Sequence, residues 1–256
     1  MIAYNPPILF LTIKSIHMKK FFLLMLLIPV LGMAQTKNVV NTTRVFPKGD
    51  KVAEFEKAIA NHAQKYHTGD WKWRVFSIET GPDAGGYNIV EGPSTWEAND
   101  SRGNISAEHL EDWNKNIAPL LNDRGSAGFG EYSTDLSTVA LTDYTDKVSL
   151  YHIIPKPGKL AQLLELVKNL KKVWVADKES VAVYESASSG TPSITIAYRM
   201  KNGLKEMAES YRKPLPERYN DVYGAGSFTT FTQKFADIVE SRWEELIFYH
   251  ADLSSK

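Results

Sequence analysis

The chain has 256 residues, with 30 basic and 30 acidic side chains and no cysteine. This balance of charge argues against nucleic-acid binding, which usually requires a clearly basic surface. Without cysteine the protein can form no disulfide, iron–sulfur cluster, thiolate zinc site or thiol nucleophile.

Residues 1–34 have the pattern of a secretion signal. Two lysines follow Met18, an unbroken apolar run covers Phe21–Ile28, and small residues lead to a cleavage site after Ala34. A basic start, a short apolar core and a small-residue site are typical of exported proteins. The run is too short for a membrane anchor, which needs roughly 20 apolar residues. We therefore expect an exported bacterial protein, periplasmic or secreted, whose translation begins at either Met1 or Met18.

The expected mature chain, residues 35–256, has a net charge of −3, because residues 1–34 contain three lysines and no acidic residue. We expect no membrane-spanning segment in this part, since none of its apolar runs is long enough. Because it lacks disulfides, the mature chain must be stabilised by core burial. Its length allows this as one large domain or as two small ones.

The first half, residues 35–142, reads as strand, helix, strand, strand, helix, strand. Its first strand is rich in β-branched residues and stops at Pro47, which cannot donate to a sheet ladder. A glycine-rich cluster over residues 81–86 predicts a turn between the second and third strands. In chain order the predicted elements are strand Val39–Phe46, a helix with apolar residues Val52, Phe55, Ile59 and Ala63, strands Trp73–Glu79 and Tyr87–Glu91, helix Ala107–Asn122 and strand Phe129–Asp135.

The second half, residues 143–256, repeats this order. After its first strand, apolar residues recur at spacings of three and four from Leu160 to Trp174, which predicts an amphipathic helix. At the end of this half, Ser241–Phe248 could extend a helix instead of forming a strand. In chain order the predicted elements are strand Lys147–Ile154, helix Leu160–Trp174, strands Val181–Ser186 and Ser193–Met200, helix Phe228–Val239 and strand Trp243–Ala251.

An internal repeat relates the two halves. Val45–Gly49 aligns with Ile153–Pro157 at an offset of 108, and Tyr132–Ser137 aligns with Tyr249–Ser254 at an offset of 117. The change of offset predicts an insertion late in the second half, and Asp143–Lys147 is the predicted linker. Few residues are identical, but the matching order of elements favours a duplication over chance similarity of loops.

The repeated order is the split βαβ arrangement, a four-stranded antiparallel sheet with helices on one face. Two such units with proline-terminated first strands resemble the dimeric α+β barrel superfamily, which includes the antibiotic-biosynthesis monooxygenase-like, stress-responsive A/B barrel and NIPSNAP-like groups. The resemblance covers residues 35–142 and 143–256 once each. It implies an α+β fold in which two ferredoxin-like split βαβ units form an intramolecular pseudo-dimeric α+β barrel around a cavity. Such a chain is either a monomer or part of a homo-oligomer.

The first strands of the two halves carry the main candidate site residues. With the offset of 108, Arg44 and His152 occupy equivalent positions, each flanked by apolar residues on its own strand face. They either form a polar pair that projects into a ligand cavity or lie at the rim, where neighbouring carboxylates bond them. Trp96 and Tyr198, near the ends of elements, are further candidates for lining a ligand-binding pocket.

Haem is the cofactor that the resemblance makes possible. Haem-degrading members of the superfamily carry a histidine on the second helix and an upstream tryptophan and asparagine. His109 lies on the second predicted helix, and the upstream residues would be Trp96 with either Asn41 or Asn99. Asn41 is about one residue out of register, and the second half has no histidine equivalent to His109.

No metal site is predicted. His62 and His67 are five residues apart on the first predicted helix, which is a poor phase for sharing a ligand, and no HExxH motif occurs. The absence of G-x-S-x-G gives no support for a serine nucleophile. Gly125 and Gly128 belong to no P-loop or dinucleotide fingerprint and are predicted to be turn residues.

Three functions remain open, because superfamily members include oxygenases, haem-degrading enzymes, lyases, isomerases and proteins without known activity. The leading hypothesis is a binding protein for a small, largely apolar molecule held between the two units. The second is an enzyme, either a haem-binding protein or a cofactor-independent oxygenase. The third is a non-catalytic envelope protein whose interior is closed by side chains.

Overall fold

Eight strands form one closed barrel in the computed structural model of the protein, which describes residues 36–186 and 191–256. Each strand pairs antiparallel with both of its neighbours, in the order β1-β3-β2-β8-β5-β7-β6-β4 and back to β1. The predicted secretion signal lies outside the described residues. The strands are β1 (Val39–Pro47), β2 (Trp73–Ile78), β3 (Tyr87–Ser94), β4 (Leu121–Tyr132), β5 (Lys147–Pro155), β6 (Val181–Ser186), β7 (Ile194–Arg199) and β8 (Val239–His250).

Each half of the chain contributes four neighbouring strands. The first half supplies β4-β1-β3-β2 and the second supplies β8-β5-β7-β6, which is the split βαβ order in both cases. Pairing of β2 with β8 and of β4 with β6 closes the two sheets into the barrel. The predicted fold class is therefore confirmed. The predicted boundary after residue 142 lies between β4 and β5, and Lys37–Lys256 forms one compact unit.

Helices cover the outer face of the barrel. After the first strand of each half, one helix buries an apolar stripe against the sheet, as the spacing of its residues predicts. In the second half this stripe includes Leu163, Val167 and Trp174, which belong to one core with Val183 and Ile196 of the sheet. Among the described residues, no helix has both the length and the hydropathy needed to cross a membrane. The helices are α1 (Val52–Tyr66), α2 (Trp96–Arg102), α3 (Ala107–Asp112), α4 (Leu160–Ala176), α5 (Leu215–Tyr223) and α6 (Ser227–Ile238).

The last strand of the first half begins at Leu121, so the predicted start at Phe129 is wrong. This polar, glycine-containing segment has little strand propensity of its own. It pairs with β1 along most of its length, and this non-local ladder overrides the local preference. Gly125 and Gly128, predicted to be turn residues, lie inside the strand. The predicted helix Ala107–Asn122 is correspondingly shorter, because α3 passes into a π turn and then into β4.

The second half contains the predicted insertion. Residues 200–226, including α5, lie between β7 and α6. β8 follows α6 directly, which confirms a strand rather than a helix over Ser241–Phe248. Part of the predicted turn after β6 falls on residues 187–190, outside the described residues.

Candidate functional site

A cavity of about 350 Å³ lies inside the barrel, with walls from both halves of the chain. Side chains alternate between the two faces of each strand, so one residue in two points inward. The volume falls within the usual range for small-molecule pockets. The apolar part of the wall includes Val40, Phe76, Val90, Val148, Leu150, Ala197 and Ile247.

One end of the cavity holds a buried charge cluster. Arg44 and His152 approach each other, with 3.4 Å between Nη2 and Nε2. Both contact Glu245 of β8: Arg44 forms a bidentate ion pair with its carboxylate, and His152 Nε2 lies 2.8 Å from Oε1. Arg44 also forms an ion pair with Asp83, whose Oδ2 lies 2.6 Å from Nη1. The two residues that the repeat places in equivalent positions are thus joined by one carboxylate.

The groups of this cluster stabilise one another in their charged forms. The Glu245 side chain is fully buried, and burial alone would raise its pKa, but hydrogen bonds from His152 and Arg44 and the charge of Arg44 outweigh burial and lower it. Burial would likewise lower the pKa of Arg44, and the bonds and charges of Glu245 and Asp83 raise it instead. At neutral pH Arg44 is therefore a cation shared between two carboxylates.

His152 is held on three sides. Its Nε2 contacts Glu245, its Nδ1 lies 3.2 Å from the Thr195 hydroxyl, and its ring stacks on Trp243 with centroids 4.7 Å apart. A carboxylate at Nε2 favours a proton on that nitrogen, which leaves Nδ1 as the basic atom. The imidazole is fixed in position and still lines the cavity.

Two arginines define the other end of the cavity. Arg74 and Arg199 lie over the ring of Tyr144, with Cζ 3.7 Å and 5.4 Å from its centroid. They donate to backbone carbonyls, and among the described residues no carboxylate forms an ion pair with either. Burial raises the pKa of Tyr144 despite the two positive charges, so its phenol stays protonated. This end of the cavity has a net positive charge.

The wall also contains an unsatisfied polar atom. Asn88 is 4% exposed and pairs with Arg44 across the sheet, so its side chain shares the inner face. Its Oδ1 accepts no hydrogen bond from the described residues. A buried acceptor without a donor costs about 1–3 kcal/mol. Asn88 lines the cavity, so a small rotation of its amide would bring this oxygen within reach of a bound hydroxyl group.

Solved structures share this architecture, whereas no protein-family model and no curated protein sequence matches the chain. An anthrone oxidase-like protein has a TM-score of 0.53 and 11% identity, covering 84% of this chain and 92% of that one. A proposed monooxygenase from Lactobacillus acidophilus NCFM has a TM-score of 0.51 and 10% identity, covering 85% and 95%. A proposed chlorite dismutase has a TM-score of 0.50 and 8% identity, covering 85% and 96%.

The chain has the dimeric α+β barrel fold. Identities near 10% establish the fold alone, and members of one fold carry out different chemistry. What this dimeric α+β barrel binds or catalyses therefore depends on its own residues.

Trp96 and Tyr198 do not line the cavity. Tyr198 alternates with the inward-facing residues of β7, so it lies outside the barrel wall and packs against Trp174 of α4. Trp96 begins α2, is 39% exposed and packs against Phe129. A position near the end of a strand or helix does not show whether a side chain points into the barrel or away from it, so the sequence could not place either ring.

The residues suggested by the haem resemblance do not fit a haem site. His109 lies on α3 outside the barrel, its Nε2 is 3.2 Å from Nε2 of His67, and the ring of His62 is 4.7 Å away between centroids. His109 is not among the residues that line the barrel cavity, and its Nε2 already contacts another histidine. Trp96 contacts Phe129, and Asn99 bonds Ser94 and the backbone of its own helix, so neither joins His109.

Several site residues were missed from the sequence. Glu245 could have been found as an acidic residue in an otherwise apolar part of the last predicted strand, had the phase of that strand been secure. Arg74, Arg199 and Asn88 gave no signal, because their roles depend on which strands become neighbours across the barrel.

Proposed function

We propose that the protein binds a small, largely apolar molecule bearing one acidic group inside the barrel. The observation that carries this proposal is an apolar cavity of about 350 Å³ with an uncompensated arginine pair at one end. The charge of Arg44 is already offset by Glu245 and Asp83. Arg74 and Arg199 are therefore the cations that no carboxylate of the described residues offsets. The Nη atoms of Arg199 already donate to three backbone carbonyls and to the Tyr184 hydroxyl, so Arg74 would bond the carboxylate, phenolate or enolate while Arg199 adds positive charge.

The other end selects for a hydroxyl group. Val148 pairs with Arg199, and His152 lies four residues further along β5, so the two ends are about 13 Å apart. Asn88 offers an unpartnered acceptor near Arg44. An aromatic or aliphatic body with an acidic group at one end and a hydroxyl at the other matches both ends. A suitable probe is 6-hydroxy-2-naphthoate.

Filling the cavity should abolish this binding. Gly128 of β4 faces inward opposite Thr42, and a Cβ added there meets no atom within 4 Å. We expect Gly128→Leu to fold normally and to lower the affinity for 6-hydroxy-2-naphthoate at least 100-fold in isothermal titration. Thr43→Leu, on the outward face of the neighbouring strand β1 and outside the cavity lining, is the matched control and should bind like the unmodified protein.

Two results would contradict the proposal. One is the absence of any heat of binding for the naphthoate, for decanoate and for naphthalene with the unmodified protein. The other is equal affinity of Gly128→Leu and the unmodified protein, which would place the ligand outside the barrel. Tighter binding of naphthalene than of the naphthoate would retain the cavity and reject the role of Arg74 and Arg199.

A second candidate function is oxidation of the bound molecule, favoured by the His152–Glu245 pair in the cavity wall. His152 Nδ1 would remove an acidic proton, and the carbanion would react with dioxygen. Anthrone, an apolar tricyclic ketone, is a suitable probe: anthrone and O₂ would give anthraquinone and water. We expect His152→Gln to slow the reaction about 100-fold or more. Recovery of unchanged anthrone would leave binding as the only function.

The remaining hypotheses differ in their support. The cavity of about 350 Å³ favours ligand binding over an interior closed by side chains, and a non-catalytic envelope protein stays a hypothesis. Export rests on the sequence of residues 1–34. Its test is the N-terminus of the protein recovered from periplasm and medium, expected at Gln35; a cytoplasmic chain that retains Met18 would overturn it.

A further inference from the structure

Three histidines meet outside the barrel, between the helices and the sheet of the first half. His62 lies on the last turn of α1, His67 directly follows α1, and His109 lies on α3. One ring nitrogen of each lies within 4.8 Å of the others. His62 and His67 are fully buried, and His109 is half-buried.

The spacing of His62 and His67 does not predict this contact, because α1 ends at Tyr66 and His67 is no longer helical. His67 has φ −101° and ψ 85°, outside the helical region, so the chain turns and brings its ring back beside His62. The ring of His67 also stacks on Trp73, with centroids 3.5 Å apart. A spacing of five residues is a poor phase only while both residues belong to one helix.

Carboxylates fix the orientation of two of these rings. Asp112 Oδ2 lies 2.7 Å from His62 Nδ1, and Glu91 Oε2 lies 3.0 Å from His67 Nδ1. Both Nδ1 atoms therefore carry the proton, and each Nε2 presents a lone pair. Metal-binding histidines in proteins are held in this way by a carboxylate on the nitrogen that does not bind the ion.

Glu91 is itself held in place. It is 4% exposed and accepts hydrogen bonds from Trp73 Nε1 and Arg102 Nη2, both at 2.8 Å. Fixed by these two bonds, the carboxylate stays beside His67 Nδ1 and accepts the proton of that nitrogen.

Hydrogen bonds within the cluster leave two buried ring nitrogens, His62 Nε2 and His109 Nδ1, without a partner among the described residues. His109 Nε2 lies 3.2 Å from His67 Nε2 and can donate to it. His62 Nε2 is buried and has no partner among the described residues. A single proton on His109 cannot serve both lone pairs, and an unsatisfied buried acceptor costs about 1–3 kcal/mol. A cation placed between the three rings would satisfy both.

We propose that His62, His67 and His109 bind one divalent transition-metal ion of the zinc class. In a tetrahedral zinc site with bonds of about 2.0 Å, neighbouring ligand nitrogens are about 3.3 Å apart, close to the 3.2 Å between His67 and His109. Three imidazoles leave the fourth position for water or another ligand on the half-buried His109 side. This site is separate from the barrel cavity and does not depend on the proposed function.

The test is titration of the metal-free protein with Zn²⁺ against a competing chelator, with Co²⁺ as a spectroscopic probe. We expect one equivalent of Zn²⁺, a rise in Tm, and visible Co²⁺ bands typical of a tetrahedral ion. His109→Ala should weaken Zn²⁺ binding at least 100-fold. Asp112→Asn, which changes the partner of His62 Nδ1 and keeps all three histidines, should weaken Zn²⁺ binding about 10–100-fold. His250→Ala, outside the cluster, should change neither the Zn²⁺ affinity nor the Co²⁺ spectrum.

Several results would overturn this proposal. These are no Zn²⁺ bound at micromolar concentration, equal affinity in His109→Ala and the unmodified protein, or octahedral Co²⁺ spectra in the unmodified protein. Because His62 and His67 are fully buried, their alanine variants risk unfolding. The test therefore relies on His109 and Asp112, both on the short α3, and on the Co²⁺ spectrum of the unmodified chain.

Discussion

Glu245→Gln is expected to lower the free energy of unfolding by about 3 kcal/mol or more, measured by urea denaturation at pH 7. Removing one partner of a buried ion pair leaves the other charge without compensation, which typically costs 3–5 kcal/mol. The Glu245 side chain is fully buried and bonds both Arg44 and His152, while Asp83 still offsets part of the charge on Arg44. The expected loss is therefore at the lower end of that range.

The pH dependence has a defined sign. The pKa of Glu245 is lower in the folded protein than its ordinary value of 4.5. Its contribution is fully present above that ordinary pKa and is lost as the pH falls through the folded pKa. The unmodified protein should lose this stability below about pH 4.5, and Glu245→Gln should lack this part of the acid-induced loss.

Glu244→Gln is the matched control, because Glu244 is the neighbouring residue on the exposed face of β8 and bonds Ser149. It should change the free energy of unfolding by less than about 1 kcal/mol. Equal effects of the two substitutions would contradict the role given to the buried cluster.

Arg199→Met is expected to cost about 3 kcal/mol or more and to release the chain between β4 and β5. The Arg199 guanidinium donates to the carbonyls of Ala140, Leu141 and Asp143, with distances of 2.8 and 2.9 Å to the first two. Hydrogen bonds to charged groups each contribute about 1.5–3 kcal/mol. Leu141 is buried with the inner-face residues of the barrel, so this segment covers one end of the interior.

Limited proteolysis and urea denaturation both measure this effect. The unmodified protein should resist cleavage over residues 139–146, whereas Arg199→Met should be cut there first. Arg242→Met removes an exposed arginine from β8 and should alter neither measurement. If Arg199→Met retained full stability and the same cleavage pattern, Arg199 would not anchor this segment.

The sequence predicts elements well where the pattern is local. The stripe from Leu160 to Trp174 and the strands ending at Pro47 and Pro155 follow from residue spacing, and two copies of one element order suffice to predict the barrel. β4 could not be delimited in this way. Its polar, glycine-containing residues form a strand because they pair with β1, and the local sequence of β4 does not show that pairing.

In the candidate site, too, the sequence predicts what depends on the repeat and misses what depends on contacts between distant strands. The offset of 108 places Arg44 and His152 in equivalent positions, and the structure brings them together. Glu245, which joins them, depends on the phase of a strand that could also be read as a helix. The histidine cluster was missed because it depends on α1 ending one residue before His67.

The central claim is that the barrel interior is a binding site, and a crystal structure of the protein grown with 6-hydroxy-2-naphthoate tests it most directly. We predict electron density for the probe inside the barrel, with its carboxylate bonded to Arg74 beside Arg199 and Tyr144, and with its hydroxyl near Asn88. A cavity that contains only ordered water at a saturating concentration of the probe, or a probe bound only outside the barrel, would contradict this account.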